Sequence, residues 1–159
     1  MSTMKSLAAL GVFAAIVFAV AGFGALLTTP SIPGWYSNLK RPSFTPPNWV
    51  FGPVWTVLYL AMAVAAWLVW RQGGLAAERS AMVLFAVQLA LNAAWTPVFF
   101  GAHKIGAAFA VIALMWAAIL ATLVAFWRVT PLAGVLLVPY QLWVTFAAVL
   151  NFALWRLNR

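Results

Sequence analysis

The chain has 159 residues, of which 67% are hydrophobic and 6% are charged, and its formal net charge at pH 7 is +8. Soluble domains carry about 25% charged residues, so this chain lacks the polar surface that a domain exposed to water on all sides needs. It contains one acidic side chain, one histidine and no cysteine, which excludes paired-carboxylate hydrolysis, a Ser-His-Asp triad, a cysteine nucleophile and a four-ligand zinc site within one chain.

Five apolar stretches are long enough to cross a membrane, because a helix needs about 20 apolar residues to span the hydrocarbon core. Almost all charged residues lie between these stretches or at their ends. The basic residues are scattered singly or in pairs, which is typical of anchoring at lipid headgroups and not of nucleic-acid binding. The sequence therefore predicts an all-α integral membrane protein, a single bundle over residues 1–159 with helices at 7–27, 49–70, 81–100, 105–127 and 132–155.

The first stretch is longer than the apolar core of a secretory signal, which has about 7–15 residues, and only Lys5 precedes it as a basic residue. We therefore expect a retained helix. A stripe of small residues runs along it: Gly11, Ala15, Ala19 and Gly22. Such a stripe lets helix backbones approach closely, either within one bundle or across a homodimer interface.

The distribution of basic residues does not predict which way the chain is inserted in the membrane. With five spans, the two termini lie on opposite sides, and the positive-inside rule needs a clear excess of basic residues on one side. The N-terminal side has Lys5, Arg71, Arg79 and Arg128, and the other side has Lys40, Arg41, Lys104, Arg156 and Arg159.

The segment between the first two spans, residues 28–48, contains five of the nine prolines. Proline removes an amide donor and restricts the residue before it, so this segment is predicted to be neither helix nor central strand. It also carries Trp35, Tyr36 and Phe44, which a solvated linker would not need. These residues predict a lid that folds back over the bundle, with an aromatic loop on the membrane surface as the alternative.

Polar side chains are few in the spans, and two of them share one helix face. Gln88 and Asn92 are four residues apart, and Trp95 follows one turn later. Polar groups in lipid normally face the protein interior. Hydrogen bonding between helices, worth about 0.6–2 kcal/mol per bond, explains them as well as ligand contact does.

Aromatic stripes at helical spacing occur in two other spans. The second span has Trp55, Tyr59, Met62 and Ala66, and the fifth has Tyr140, Trp143, Ala147, Leu150 and Leu154 with Asn151 beside them. Such stripes are usually core packing. Three of them together, with a few polar groups and a candidate lid, predict a pocket for a large, flat, hydrophobic ligand.

Three stretches of the sequence resemble the signature of the TspO/MBR family, which comprises the tryptophan-rich sensory proteins of bacteria and the mitochondrial translocator protein, once called the peripheral-type benzodiazepine receptor. They are WYSNLKRPSFTPPNWVFGPVW at residues 35–55, QLALNAAWTPVFFGAHK at 88–104 and VPYQLWVTFAAVLNFALWR at 138–156. The resemblance covers essentially the whole chain. It implies a bacterial member that is a five-helix bundle, often dimeric, with a pocket under the first loop for porphyrins such as protoporphyrin IX, sterols, and benzodiazepine- or isoquinoline-type drugs.

The resemblance also implies which residues bind the ligand. Residues that match the family's lid and pocket positions are Trp35 and Tyr36 in the loop, Trp55, Asn92, Trp95, Trp143 and Ala147. Trp55 and Trp143 also match the tryptophans linked to light-dependent breakdown of protoporphyrin in some bacterial members. With the stripes included, the predicted ligand-binding set is Trp35, Tyr36, Trp55, Tyr59, Gln88, Asn92, Trp95, Trp143, Ala147 and Leu150.

One position departs from the animal pattern. Phe152 stands where the C-terminal sterol motif has tyrosine, between Leu150 and Arg156. Such motifs are weak even when they are intact, so cholesterol specificity is not predicted.

These features predict a membrane receptor or sensor for porphyrins, with photo-oxidative porphyrin degradation and passive carriage of tetrapyrroles or lipids as alternatives. Active transport is disfavoured because the spans lack ionisable relay groups and the two halves show no repeat. We expect lipophilic ligands and membrane lipid as partners, a second copy of the chain as a candidate one, and neither nucleic acid, metal nor cofactor.

Overall fold

Five long helices make up the computed structural model, which describes residues 2–159. They are α1 (Thr3–Ser31), α2 (Asn48–Ala77), α3 (Arg79–Thr96), α4 (Ile105–Val129) and α5 (Pro131–Asn158). A π-helical turn, Pro97–Gly101, continues α3, and a short 3₁₀ turn, Tyr36–Asn38, lies in the first loop. Five segments are long and apolar enough to cross a membrane, which confirms the predicted all-helical, multi-pass architecture.

The helices extend further than the predicted boundaries. α1 continues to Ser31, so residues 28–31 belong to the helix and not to the predicted loop of 28–48. Pro30 lies within this last turn, and it costs the helix one amide donor without ending it. Hydropathy marks where the apolar core ends, whereas the helical backbone continues through Thr28 and Thr29 into the polar region. The connecting loop therefore spans only 32–47.

The far end of α2 contains a break that the sequence pattern did not predict. Gly74 has φ 78° and ψ −177° in an otherwise helical run. This backbone conformation is strained for residues with a Cβ atom. Gly74 therefore turns the chain out of the long helix before α3 begins.

The helices form a closed ring in the order α1, α2, α5, α4, α3, because each packs against the next and α3 packs against α1. The interior holds buried side chains from α2, α4 and α5, such as Met62, Ile119 and Val144. Many large apolar side chains lie exposed on the outside, as expected for a surface that faces lipid. The ring interior is therefore where a pocket can form.

α1 is the least buried helix of the ring, and Val17 is its buried residue. The predicted small-residue stripe points away from the bundle: a Cβ atom added at Gly11 or Gly22 would meet nothing within 4 Å. Ala15 and Ala19 are exposed as well. The stripe does not pack within this chain, so the alternative of close packing inside one bundle does not hold for it. Its use in a homodimer stays a prediction.

The α4–α5 connection requires a glycine at its closest approach. A Cβ atom added at Gly134 would lie 2.6 Å from Cε3 and 2.9 Å from the backbone Cα of Trp127. We expect Gly134→Ala to destabilise the fold by about 1–3 kcal/mol, the usual cost of overpacking. Thermal unfolding in detergent measures this effect.

Gly52→Ala is the matched control, because Gly52 is also helical and a Cβ atom there would meet nothing within 4 Å. It should leave the unfolding temperature unchanged or raise it slightly. Equal destabilisation by both substitutions would contradict the close approach at Gly134.

Candidate functional site

A cavity of about 160 Å³ lies inside the ring, beneath the first loop. Its walls are mainly apolar, with seven aromatic residues among the 17 that line it, and Ile32 and Tyr36 of the loop close it on the loop side. Side chains from all five helices reach it. The residues that line it are Thr28, Ile32, Tyr36, Asn48, Phe51, Trp55, Asn92, Trp95, Phe99, Phe100, Ile112, Met115, Trp143, Ala147, Leu150, Asn151 and Leu154.

A hydrogen-bonded chain of polar side chains forms below the cavity. The hydroxyl of Tyr59 donates to Oδ1 of Asn92 at 2.8 Å, and Nδ2 of Asn92 donates to the hydroxyl of Tyr140 at 2.9 Å. That hydroxyl in turn donates to Oε1 of Gln88 at 2.7 Å. All four residues are buried, so this network ties α2, α3 and α5 together at one depth in the bundle.

Each of the three helices that the network joins carries a tryptophan one turn nearer the loop than its network residue. Trp55 precedes Tyr59 by four residues, and the ring centroids of the two lie 5.6 Å apart. Trp95 and Trp143 follow Asn92 and Tyr140 by three residues, and all three tryptophans line the cavity. The polar network thus forms a floor, and the tryptophans form walls that stand on it.

Trp95 is held by a second set of polar contacts. Its indole Nε1 donates to Oδ1 of Asn151 at 2.9 Å, and Nδ2 of Asn151 donates to the carbonyl of Ile105 at 2.9 Å. Phe99 stacks on Trp95 with ring centroids 4.8 Å apart. The π-helical turn brings both Phe99 and Phe100 to the cavity, in line with the frequent occurrence of such turns at functional sites.

The loop is fastened at two points outside the cavity. Trp35 stacks on His103, with ring centroids 4.0 Å apart and planes 7° from parallel. The backbone amide of Lys40 donates to Oδ1 of Asn158 at 2.9 Å, while Nδ2 of Asn158 donates to the Lys40 carbonyl at 2.8 Å. We call this pair of hydrogen bonds the loop latch.

Tyr36 forms the underside of the closed loop. It is buried, and the guanidinium carbon of Arg41 lies 5.5 Å from the centre of its ring. Burial raises the pKa of the Tyr36 phenol, and Arg41 partly offsets this rise. The phenol is therefore neutral at physiological pH and offers the cavity a hydroxyl instead of a charge.

Seven of the ten predicted ligand-binding residues line the cavity: Tyr36, Trp55, Asn92, Trp95, Trp143, Ala147 and Leu150. Trp35 does not line it, because its ring lies between His103 and the Phe99–Phe100 pair. Tyr59 and Gln88 belong to the floor network below it. For Gln88, the alternative of interhelical hydrogen bonding describes the observed contact, and Tyr59 takes part in the same network.

Several lining residues were not in the predicted set. Ile112 and Met115 come from α4, which contributed no residue to the predicted set. Phe51 and Asn48 lie in the first turn of α2, where proximity to the loop was the available clue. Asn151 lay beside the fifth-span stripe, and its position one residue after Leu150 could have indicated it.

The floor network generates a stability prediction. Asn92→Leu keeps the volume nearly constant but leaves the Tyr59 hydroxyl without its acceptor and the Tyr140 hydroxyl without its amide donor, while Tyr140 still donates to Gln88. We expect a loss of about 1–3 kcal/mol, measured by thermal unfolding in detergent. Thr56→Val is the control, because the exposed Thr56 hydroxyl donates to the Gly52 carbonyl of its own helix. A loss no larger than in that control would show that the network does not stabilise the bundle.

The loop latch generates a second prediction. Asn158→Ala removes both latch bonds and should increase the rate of tryptic cleavage after Lys40 at least about fivefold, the factor that corresponds to roughly 1 kcal/mol. Mass spectrometry of timed digests identifies the product. Leu157→Ala, at an exposed neighbouring position, should leave this cleavage unchanged. A rate in Asn158→Ala equal to that of the control would rule out the latch.

Comparison with known proteins identifies the family. Residues 13–156 match the model of the TspO/MBR family. The chain is 44% identical over 153 residues to Protein CrtK of Rhodobacter capsulatus, covering 94% of each chain. It is 46% identical to the human Translocator protein over 126 residues, which cover 78% of this chain and 75% of the relative.

A further relative is the Tryptophan-rich sensory protein of Cereibacter sphaeroides, which is 44% identical over 92% of this chain and 89% of its own. The chain belongs to the TspO/MBR family and is a multi-pass integral membrane protein. The names of its relatives support a membrane sensor or receptor of the TspO type.

Proposed function

We propose that this TspO/MBR-family protein is a membrane receptor that binds a porphyrin, or a ligand of similar flat and hydrophobic shape, in the cavity beneath its first loop. The observation that carries the proposal is the arrangement of Trp55, Trp95 and Trp143 around one cavity above a polar floor. Aromatic walls favour stacking against a conjugated ring system. The few amide groups at the cavity suit orientation of the ligand and not its chemical conversion.

The cavity must enlarge when such a ligand binds. Its volume of about 160 Å³ is smaller than the roughly 300–1,000 Å³ of pockets for drug-sized ligands. Displacement of the loop would enlarge the cavity directly, because Ile32 and Tyr36 of the loop line it. The hydrogen bonds of the latch at Lys40 are exposed to solvent, so water can replace them when the loop moves. We infer that the closed cavity is a contracted state and that ligand binding displaces the loop or a wall.

Basic residues at the loop end fit the carboxylates of a porphyrin. Lys40 and Arg41 lie in the loop itself, and Arg41 covers Tyr36. A propionate at the rim of the cavity would find these cations near the aqueous phase, while the macrocycle stays in the apolar interior. Charge-assisted contacts of this kind are stronger than neutral hydrogen bonds.

Photo-oxidative degradation of the bound porphyrin is the second candidate function, and the cavity position of both Trp55 and Trp143 favours it. No residue that lines the cavity in the described part of the chain carries an acid or base that titrates near neutral pH. Light would therefore have to excite the porphyrin, with dioxygen as the oxidant and the indoles as electron donors. Passive carriage of the ligand through the same cavity is compatible with either function.

Sterol recognition through the C-terminal motif gains no support from the site. Phe152 is 41% exposed, contacts Phe109 and Trp155 on the outer surface, and is not a lining residue of the cavity. A sterol would have to bind either in the cavity without this motif or on the lipid-facing surface.

The test is a titration of the purified protein with protoporphyrin IX in the dark, followed by illumination. We expect saturable quenching of tryptophan fluorescence and a shifted porphyrin absorption band. Trp55→Phe/Trp143→Phe should weaken binding about tenfold, which corresponds to about 1.4 kcal/mol. An unchanged affinity would remove these two residues from the pocket.

The control is Trp49→Phe/Trp116→Phe, which also removes two tryptophans but at exposed positions outside the cavity. Its affinity should equal that of the unmodified protein. Faster bleaching in light than for free porphyrin, lost in Trp55→Phe/Trp143→Phe and kept in the control, would make degradation the primary function. Absence of saturable binding would refute the porphyrin proposal and leave the fold unaffected.

A further inference from the structure

An apolar groove runs along the lipid-facing seam between α2 and α5, which are neighbours in the ring. Its lining comes from both helices, with one proline in each: Pro53, Val54, Val57, Leu58, Pro139, Leu142, Trp143 and Phe146. Proline removes one amide donor from a helix and with it one hydrogen bond of the backbone ladder. The seam is therefore bordered by two helix segments that are less tightly held than regular ones.

Trp143 lies between this groove and the internal cavity, since its side chain lines both. Among the described residues, it is the one that lines both spaces. Rotation of the indole would therefore change the wall that the two spaces share.

Trp143 also has no directional anchor. Its Nε1 atom is buried and has no hydrogen-bond partner among residues 2–159. Its neighbours are Phe51, with ring centroids 5.8 Å apart, and Phe146, at 5.5 Å. Trp95 differs, because Asn151 fixes its indole. Rotation of Trp143 therefore breaks no hydrogen bond, whereas rotation of Trp95 breaks one.

The loop side of the cavity is the better fastened side. Trp35 stacks on His103, and the latch joins Lys40 to Asn158. A flat hydrophobic ligand dissolves in the bilayer and not in water, so it reaches the α2–α5 seam at high local concentration. Displacement of one unanchored side chain then suffices to admit it.

We propose that the α2–α5 groove is an access site through which flat apolar ligands pass from the bilayer into the cavity, with the Trp143 side chain as the movable wall. This inference rests on the proposed function, because it concerns the route to the same cavity. Apart from Trp143, which also lines the cavity, the groove residues then control the rates of ligand binding and release and not the equilibrium affinity.

The test fills the groove without touching the cavity. Val57 and Leu142 line the groove, are 64% and 65% exposed, and are not lining residues of the cavity. The variant Val57→Phe/Leu142→Phe is reconstituted in phosphatidylcholine vesicles. These are mixed in the dark with phosphatidylcholine vesicles that carry protoporphyrin IX, and stopped-flow tryptophan quenching gives the association and dissociation rates.

We expect both rates to fall about tenfold, within the range that mutations at one site produce in association rates, while the equilibrium affinity stays the same. Leu142→Ala widens the groove and should increase both rates. The matched control, Val87→Phe/Leu114→Phe, makes the same changes at exposed positions on α3 and α4 outside the groove and should leave the rates unaltered.

Unchanged rates in both groove variants, with normal saturable binding, would overturn the lateral route and leave the proposed function intact. Faster association in Asn158→Ala together with unchanged rates in the groove variants would place the route under the loop instead. Absence of saturable binding in the unmodified protein would refute the proposed function, and the access route would fall with it.

Discussion

The interior of a bilayer supplies no water, so a polar side chain within a membrane-spanning helix must find its partner in the protein. The chain formed by Tyr59, Asn92, Tyr140 and Gln88 meets this requirement for both hydroxyls and for the Asn92 amide, where α2, α3 and α5 face the centre of the ring. Nε2 of Gln88 is the buried atom of the network that has no partner among the described residues. Apolar packing alone would let these helices slide along one another with little change in contact. The network sets their relative depth, and the tryptophans one turn nearer the loop are thereby brought to the same level.

Two of these tryptophans are held in different ways, and the difference gives the cavity one rigid wall and one movable wall. The indole of Trp95 is tied through Asn151 to the carbonyl of Ile105, a contact that also joins α3, α5 and the start of α4. Trp143 has aromatic contacts but no hydrogen bond within the described residues. Since aromatic contacts tolerate sliding better than hydrogen bonds do, adaptation to a ligand falls mainly on the α2–α5 side of the bundle.

Sequence reasoning reached the fold and seven of the 17 residues that line the cavity, because membrane spans leave few ambiguities. Hydropathy located five helices, and helical spacing placed Asn92 and Trp95 on one face. Helical spacing could not show that Gln88 and Tyr59 lie below the cavity and not in its wall. Residues on one helix face lie at different depths in the bundle, and these depths depend on how far the helices are shifted along one another. Ile112 and Met115 were missed for a related reason: an apolar residue on an apolar helix has no pattern that distinguishes a cavity wall from a packed core.

The two ends of the bundle differ in their charged residues, and this difference affects the loop. Glu78, the one acidic side chain of the sequence, lies between α2 and α3, at the end opposite the loop. At the loop end, Arg41 lies over the Tyr36 ring and Arg159 over the Trp155 ring, so these cations rest on aromatic faces. Such contacts are worth about 0.5–2 kcal/mol, which a hydrogen-bonded anion can match or exceed. A lipid headgroup or a ligand carboxylate can supply such an anion. The guanidinium group of Arg41 packs on Tyr36, the tyrosine that closes the cavity. An anion that binds this guanidinium group therefore competes with the packing of Arg41 on the loop.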